Sequence, residues 1–176
     1  LMPRFRPGTY SLQSFFYLRQ NMVSKLLVGA SISLRSVYTT IYLPLWFRLL
    51  GAKIGRCAEI STVTRVEPDL ITIGDESFLA DGSMVGGGRF YKGVVRYQEN
   101  AIGRRSFVGN SSMLAPGKSL GDNCLQGVVS LTPKEHTITP EGSEWLGSPS
   151  FSLPYRRKVT SFALAHRLRH GTPLVV

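Results

Sequence analysis

The sequence has few of the residues that build a covalent framework or a metal centre. It holds two cysteines, Cys57 and Cys124, and three histidines among 176 residues. Neither cysteine belongs to a Cys-x-x-Cys motif or a Cys/His cluster, so we expect neither a disulfide nor a metal site, and a reducing cytoplasmic setting is favoured. The absence of a Gly-x-Ser-x-Gly motif and of a Cys/His pair argues against a covalent nucleophile.

Acidic residues are missing from both ends of the chain. Residues 1–58 contain no Asp or Glu but eight Lys or Arg, and residues 145–176 add five cations and no acid. The middle of the chain carries all eleven acids against eight cations, so the formal charge of +10 belongs to the ends. These cations form no recognisable nucleic-acid-reading module, and nucleic-acid binding is not expected.

Long hydrophobic runs and a secretory signal are missing as well. Within residues 10–50 no uncharged run exceeds twelve residues, whereas a membrane-spanning helix needs about twenty. The same segment mixes Trp, Tyr, Phe and Leu with Lys and Arg, which suits a helix lying at the interface of an anionic membrane. The alternative is an amphipathic helix that packs on the open end of the neighbouring domain and protects its strand edges.

The dominant feature that is present is a six-residue repeat. Eleven units start between Ile54 and Gln126, and most have an aliphatic first position, a small second position that is usually Gly, and a small fifth position. The first positions are Ile54, Ile60, Val66, Ile73, Leu79, Val85, Ile102, Val108, Leu114, Leu120 and the one polar exception, Gln126. Such a period is typical of a stacked repeat in which each unit is one short strand and one corner. It predicts a mainly β protein, a left-handed parallel β-helix with helical, interfacial segments at its N-terminus.

The repeat also divides the chain into segments. We predict a helical, amphipathic entry arm over residues 1–50, the repeat domain over 51–131, an exit loop and turn over 132–158, and a basic C-terminal segment over 159–176. The repeat is interrupted before Ile102, which we interpret as a polar loop over residues 91–101 that leaves the coil. Loops carried on a rigid scaffold are common sites of function.

Four stretches of the sequence look like a known family. They are Arg48-Leu-Leu-Gly-Ala-Lys-Ile-Gly55, Pro68-Asp-Leu-Ile-Thr-Ile-Gly74, Ile102-Gly-Arg-Arg-Ser-Phe-Val-Gly-Asn110 and Trp145-Leu-Gly-Ser-Pro149, with an entry at Arg6-Pro-Gly-Thr-Tyr10. In combination they resemble the repeat domains of the poly-lysine synthetase family of membrane-embedded nonribosomal peptide synthetases. In that family an adenylation domain loads an amino acid on a carrier protein, and tandem repeat domains replace the usual condensation domain.

The resemblance implies an acyltransferase domain on the cytoplasmic side of a membrane, which joins an amine to a carrier-bound aminoacyl thioester. The implied acyl donor is carrier-bound phosphopantetheine or coenzyme A, with no metal. The implied partners are a carrier protein, an adenylation domain and sister repeat domains, packed as a homotrimer or an intrachain pseudo-trimer. Two alternatives stay open: a stand-alone acyltransferase that uses acyl-coenzyme A, and a non-catalytic scaffold copy of the repeat domain.

Few residues qualify as the proton acceptor for such a reaction. Hexapeptide acyltransferases usually use a His, and His136 in the exit loop is the candidate catalytic base. His166 and His170 stand four residues apart in a predicted helix, a spacing more typical of a basic surface face. In the absence of a catalytic His, Asp81 or Glu99 is the remaining candidate.

Donor-binding candidates are cations and the residues of one turn. Arg104, Arg105 and Lys118 suit a pantetheine phosphate, because guanidinium and ammonium groups pair with phosphate. Asn110 and the turn formed by Trp145, Gly147 and Pro149 are expected to border the pantetheine arm, as an aromatic-x-Gly-x-Pro turn does in hexapeptide acyltransferases. The alternative is that these cations are only outward-facing coil residues.

Overall fold

Three parallel β-sheets form the faces of a coil that winds around one apolar core. The computed structural model describes residues 5–33, 40, 42–64 and 66–154. The predicted basic C-terminal segment, with His166 and His170, lies outside the described residues.

The described elements are two α-helices, a short 3₁₀ helix at Pro68–Leu70 and sixteen strands. The helices are α1 (Phe15–Ser33) and α2 (Leu43–Leu49). The strands are β1 (Gly8–Ser11), β2 (Lys53–Ile54), β3 (Glu59–Ile60), β4 (Val63–Thr64), β5 (Ile71–Ile73), β6 (Phe78–Leu79), β7 (Ser83–Val85), β8 (Arg89–Tyr91), β9 (Val94–Tyr97), β10 (Asn100–Ile102), β11 (Phe107–Val108), β12 (Met113–Leu114), β13 (Ser119–Leu120), β14 (Leu125–Gln126), β15 (Glu144–Leu146) and β16 (Phe151–Ser152). The described part of the chain is therefore mainly β.

Successive short strands of the coil belong to successive faces. The first face contains β2, β5, β10 and β13, the second contains β3, β6, β11, β14 and β15, and the third contains β4, β7 and β12. Neighbouring strands within each face are parallel, and β16 is added to β15 in antiparallel orientation. This is the strand-and-corner arrangement that the six-residue period predicts.

The first positions of the repeat point into the coil. Seven of the aliphatic ones are at most 3% exposed, namely Ile73, Leu79, Val85, Ile102, Val108, Leu114 and Leu120, which confirms the predicted register. The polar exception, Gln126, is also buried. Its amide nitrogen donates to the carbonyls of Met113 at 3.0 Å and Ser130 at 2.8 Å, so backbone acceptors at the corner stabilise a polar group inside the coil.

The small second positions are required by the stacking of one coil on the next. A Cβ on Gly74 would lie 2.6 Å from the backbone nitrogen of Arg104, and one on Gly103 would lie 2.4 Å from the carbonyl carbon of Gly121. Backbone atoms cannot move aside as a flexible side chain can. These two corners therefore require glycine, because a Cβ would overlap the backbone of the next coil.

The fifth positions connect neighbouring coils through hydrogen bonds. The Ser77 hydroxyl donates to the carbonyl of Gly103 at 2.6 Å, and the Ser106 hydroxyl donates to the carbonyl of Gly121 at 2.7 Å. Cys124 continues this column at the fifth position as a buried free thiol, whereas Cys57 is free and exposed.

The coil continues beyond its predicted end at residue 131. Strand β15 pairs in parallel with β14, and Ile138 forms a parallel bridge with Ser119. The sequence hides this last partial coil because its inward position, opposite Gln126, is occupied by Trp145 rather than by an aliphatic residue followed by glycine.

The predicted polar loop over residues 91–101 is instead a β-hairpin. Strands β8 and β9 pair with each other, β9 also pairs with β1, and β10 has already rejoined the coil at Asn100. Val95 and Tyr97 are buried against Phe5 and Leu70. The reason is local: alternating residues of Val94–Tyr97 point to one side, and the Lys92–Gly93 turn has positive φ at both residues, which favours a tight hairpin.

Helix α2 covers the first end of the coil. Leu43 and Phe47 are buried and belong to the same apolar cluster as the inward residues of the coil. For this part of the entry arm, the end-covering alternative describes the packing. Within the described residues, no helix combines the length and the hydropathy that crossing a bilayer requires.

Candidate functional site

The predicted donor-binding residues lie at different corners of the coil. Arg104 and Arg105 form the corner between β10 and β11, Asn110 belongs to the corner between β11 and β12, and Lys118 belongs to the corner between β12 and β13. Since each corner is a different edge of the triangular coil, the structure does not bring Lys118 together with Arg104 and Arg105 within one chain.

Arg104 is engaged in an ion pair with the next coil. Its Nε and Nη2 atoms lie 3.0 Å and 2.9 Å from Oδ2 of Asp122, and its backbone N–H donates to Oδ1 of the same residue at 2.8 Å. The backbone and side-chain bonds from Arg104 lower the pKa of the Asp122 carboxyl. Arg105 follows with a φ of 52°, and its exposed guanidinium has no ion pair within the described residues.

Lys118 is also engaged within the chain. Its Nζ donates to the backbone carbonyls of Lys134 at 2.8 Å and His136 at 2.5 Å. The ammonium group therefore holds the exit loop against the coil. Because two of its hydrogen bonds are already made within the chain, it is only partly available to an external phosphate.

A stacking rule explains both contacts. Arg104 and Asp122 are 18 residues apart, as are Lys118 and His136. Three units of six residues complete one coil, so residues separated by one whole coil lie above each other. This signal is present in the sequence and identifies the intramolecular partners of both cations.

Lys118, His136 and Trp145 meet at the last end of the coil. The rings of His136 and Trp145 have their centroids 5.5 Å apart at an interplanar angle of 60°. Trp145 is only 9% exposed, and its indole N–H donates to the Ser143 hydroxyl at 2.9 Å. The indole is thus largely buried at this end of the coil, and the partly exposed ring of His136 lies beside it.

The turn at Gly147 lies on the edge of the coil that contains Asn110. The Gly147 N–H donates to the Ser130 hydroxyl at 2.9 Å, and its carbonyl accepts from Leu131 at 3.0 Å. In the same corner Val129 donates to the carbonyl of Asn110 at 2.9 Å. A φ of 95° at Gly147 requires glycine. The turn continues to the exposed Pro149.

The two alternative proton acceptors lie elsewhere. Asp81 is exposed and accepts hydrogen bonds from the hydroxyls of Ser61 and Thr62. Glu99 is exposed at a groove of about 150 Å³ on the first face, which Lys53 and Asp69 also line. Within the described residues, neither carboxylate is hydrogen-bonded to His136. No group of His, Cys, Asp and Glu in the described ranges has the arrangement of a metal site.

The structure reveals one titratable group that sequence reasoning missed. Glu67 is partly buried and accepts hydrogen bonds from the Gln20 amide and, at 3.2 Å, from the Ser24 hydroxyl. Burial raises its pKa to about 7. Burial, together with the charge of Glu67, also raises the pKa of Tyr97 to about 12. The sequence contains one signal for this group: Glu67 occupies the second position of its repeat unit, where most units have a small residue.

The chain is similar in sequence to one segment of a larger synthetase. No family model matches it. It is 41% identical over 161 residues to a Delta-poly-L-ornithine synthetase of Acinetobacter baumannii (strain AB307-0294), and the match covers 92% of this chain. The chain spans only 12% of the length of that relative.

Solved structures share the fold at low sequence identity. A maltose O-acetyltransferase from Clostridium difficile superposes with a TM-score of 0.58 at 15% identity, covering 86% of this chain and 94% of that one. A hexapeptide-repeat-containing acetyltransferase from Vibrio cholerae gives a TM-score of 0.52 at 15% identity, covering 61% and 64%. The chain is therefore a hexapeptide-repeat domain related to the poly-amino-acid synthetases, as the resemblance in its sequence predicts.

Proposed function

We propose that this chain is an acyl-transferring, amide-forming domain that joins an amine to a carrier-bound aminoacyl thioester. The observation that carries the proposal is the 41% identity, over 92% of the chain, to a segment of a synthetase named for a polymer of ornithine. Such a polymer requires repeated joining of an amine to an activated carboxyl group, which is the bond exchange proposed for this domain.

The proposed reaction exchanges a thioester for an amide. The amine nitrogen attacks the thioester carbonyl, the C–N bond forms, the C–S bond breaks, and one amine proton passes through a base to the departing thiolate. His136 is the proposed base. Its partly exposed ring beside Trp145 and the fixing of its loop by Lys118 support this role.

Arg105 is the proposed partner of the pantetheine phosphate, with Asn110 and the Gly147 turn beside the arm. Of the three predicted cations, Arg104 and Lys118 already bind groups of this chain, whereas the exposed guanidinium of Arg105 suits a phosphate. Coenzyme A carries the same arm, so either a carrier protein or coenzyme A meets this chemistry.

A second repeat domain is needed to complete such a site. Arg105 and His136 lie at different edges of one coil. A single groove that contains both types of residue therefore requires a second repeat domain packed beside this one. We therefore propose that this domain packs with sister domains, as a homotrimer or an intrachain pseudo-trimer. We also propose that the coil is left-handed, as in the hexapeptide family.

The proposed setting is the cytoplasmic side of a membrane, within a longer synthetase. Partners in that setting are the adenylation domain, which loads the amino acid, and the carrier protein, which presents it. The span of 12% of the relative's length leaves room for both within one polypeptide.

The test is an amide-formation assay with an aminoacyl thioester on a carrier protein and, in a parallel arm, on coenzyme A. We expect turnover above uncatalysed aminolysis with the carrier. His136→Gln is expected to reduce kcat by about 10² or more. Arg105→Ala is expected to raise KM for the carrier about tenfold or more, as for the loss of a charge-assisted bond.

Controls separate this function from the alternatives. Ile138→Ser, an exposed change in the same exit loop as His136, is expected to keep kcat within a factor of about two of the parent. Turnover with coenzyme A alone would indicate a stand-alone acyltransferase. Rates equal to uncatalysed aminolysis, for the chain assembled with its sister domains, would overturn the proposal in favour of a scaffold.

A further inference from the structure

One side of helix α1 is apolar and exposed. Phe15, Leu18, Met22 and Leu26 are 80%, 53%, 59% and 71% exposed, and we call these four residues the α1 stripe. Their spacing of three, four and four residues places them on one side of an α-helix, over a length of about 17 Å. Contiguous exposed apolar surface of this kind usually marks an interaction site.

The opposite side of α1 is attached to the rest of the domain. Gln20 is buried, and its amide and the Ser24 hydroxyl both donate to the carboxylate of Glu67. One turn earlier, the ring of Phe16 stacks on that of Tyr10 with centroids 4.0 Å apart. Because Gln20 and Ser24 lie across the helix from the α1 stripe, these contacts hold the stripe facing away from the coil.

Cations border the α1 stripe on both sides. Helical spacing places Arg19 along one border and Lys25 along the other, and the Arg19 guanidinium lies 5.2 Å from the centroid of the Phe16 ring. The first acidic residue in the chain is Glu59, so α1 carries no carboxylate. Two copies packed through the stripe would bring these cations together without a carboxylate to pair them, which disfavours self-association.

We propose that the α1 stripe is the surface through which this domain binds an anionic lipid bilayer. The helix lies in the plane of the interface, with the four apolar side chains at the boundary of headgroups and acyl chains and with Arg19 and Lys25 at the lipid phosphates. This inference rests on the membrane setting of the proposed function, and it adds the residues in contact and the orientation of the domain.

The experiment measures binding of the 176-residue chain to vesicles of phosphatidylcholine with phosphatidylserine. Leu18→Ser with Leu26→Ser is expected to lower the partition coefficient by at least about tenfold, because two large apolar side chains lose their burial. A second pair, Phe15→Ser with Met22→Ser, is expected to act alike. The matched control is Val128→Ser with Val129→Ser, an equally exposed pair at a coil corner, and it is expected to bind as the parent does.

The outcomes separate this inference from the setting on which it rests. Failure of the parent chain to bind would overturn this inference and leave the amide-forming function, which the thioester assay tests separately. Binding by the parent that both stripe pairs leave unchanged, with an unaltered unfolding transition, would overturn only the role of the α1 stripe. A dimer in lipid-free buffer that the stripe variants dissociate would assign the stripe to a second copy and overturn the lipid proposal.

Discussion

At the scale of single residues, the environment of Glu67 differs most from that of an ordinary surface carboxyl. Its hydrogen bonds from Gln20 and Ser24 favour the charged form, yet burial is the larger effect, and the pKa rises to about 7. Asp69, Tyr17 and Tyr97 are the titratable groups around it that influence this site. The carboxyl therefore titrates near neutral pH at the contact between α1 and the coil.

This pKa predicts a specific dependence of stability on pH. The folded value of about 7 lies above the ordinary value of 4.5, so the folded state binds the proton more tightly. The contribution of Glu67 to the free energy of unfolding is then greatest below pH 4.5 and is lost as pH rises through 7. The full loss is at most about 3 kcal/mol.

The variant Glu67→Gln is expected to remove that dependence. Urea unfolding across this pH range should show a flatter profile for the variant and a more stable variant than parent at alkaline pH. Glu59→Gln, at an exposed carboxyl, is the control and should keep the parental slope. Parallel profiles for Glu67→Gln and the parent would contradict a raised pKa.

At the scale of elements, the corner decides whether two coils can stack. Each strand of the coil has only two or three residues, so no strand is stable without its neighbours above and below. Glycine at the corner lets one backbone approach the next, and the buried hydroxyls of Ser77 and Ser106 bond the carbonyls of the following corner. Space thus acts at the second position of a unit, and hydrogen bonding acts at its fifth position.

Gly103→Ala tests this close approach. The added Cβ would lie 2.4 Å from backbone of the next coil, so we expect the free energy of unfolding to fall by about 2 kcal/mol or more. Gly29→Ala in α1 is the control, because its Cβ meets nothing within 4 Å and alanine favours a helix by about 1 kcal/mol. Denaturant unfolding compares the two. Equal changes in the free energy of unfolding for Gly103→Ala and Gly29→Ala would contradict the prediction and would show that neighbouring coils can move apart at this corner.

At the scale of the whole molecule, charge is separated along the chain. The repeat-bearing middle holds all eleven acids, and the formal charge of +10 comes from the ends. Among the described residues, the basic entry arm is also where α1 exposes its apolar stripe. The same region therefore offers an apolar and an electrostatic contribution to binding at a membrane interface.

This separation predicts that membrane binding depends on salt. Affinity for vesicles with phosphatidylserine should fall by about tenfold or more as screening shortens the range of the charges, since each cation near the surface contributes about 1 kcal/mol. Binding to phosphatidylcholine vesicles should change little. Cosedimentation over a salt series measures both, and equal affinity for the two vesicles would remove the electrostatic contribution.

Much of the coil could be predicted from the sequence because its determinants are local and periodic. Each six-residue unit contains its own inward residue and its own corner residues. The inward orientation of Ile73 or Leu114 can therefore be predicted without knowing which residues pack against it. The hairpin at residues 89–97 was predicted only as a departure from the coil. Its packing partners, Phe5 and Leu70, lie in parts of the chain with no repeat to set their register.

The candidate site divides in the same way. The sequence by itself determined the repeat, its inward positions and the relation to poly-amino-acid synthetases, since these depend on residue order alone. Tertiary structure decided that Glu67 is partly buried, because this burial requires contact with Gln20 of α1, 47 positions away in the chain. It also decided that Trp145 faces inward and that Arg104 and Lys118 are engaged within the chain. Those properties depend on the residues that stacking brings next to each side chain from the neighbouring coil. Whether a side chain is available to a ligand is therefore decided by contacts that form only in the folded structure.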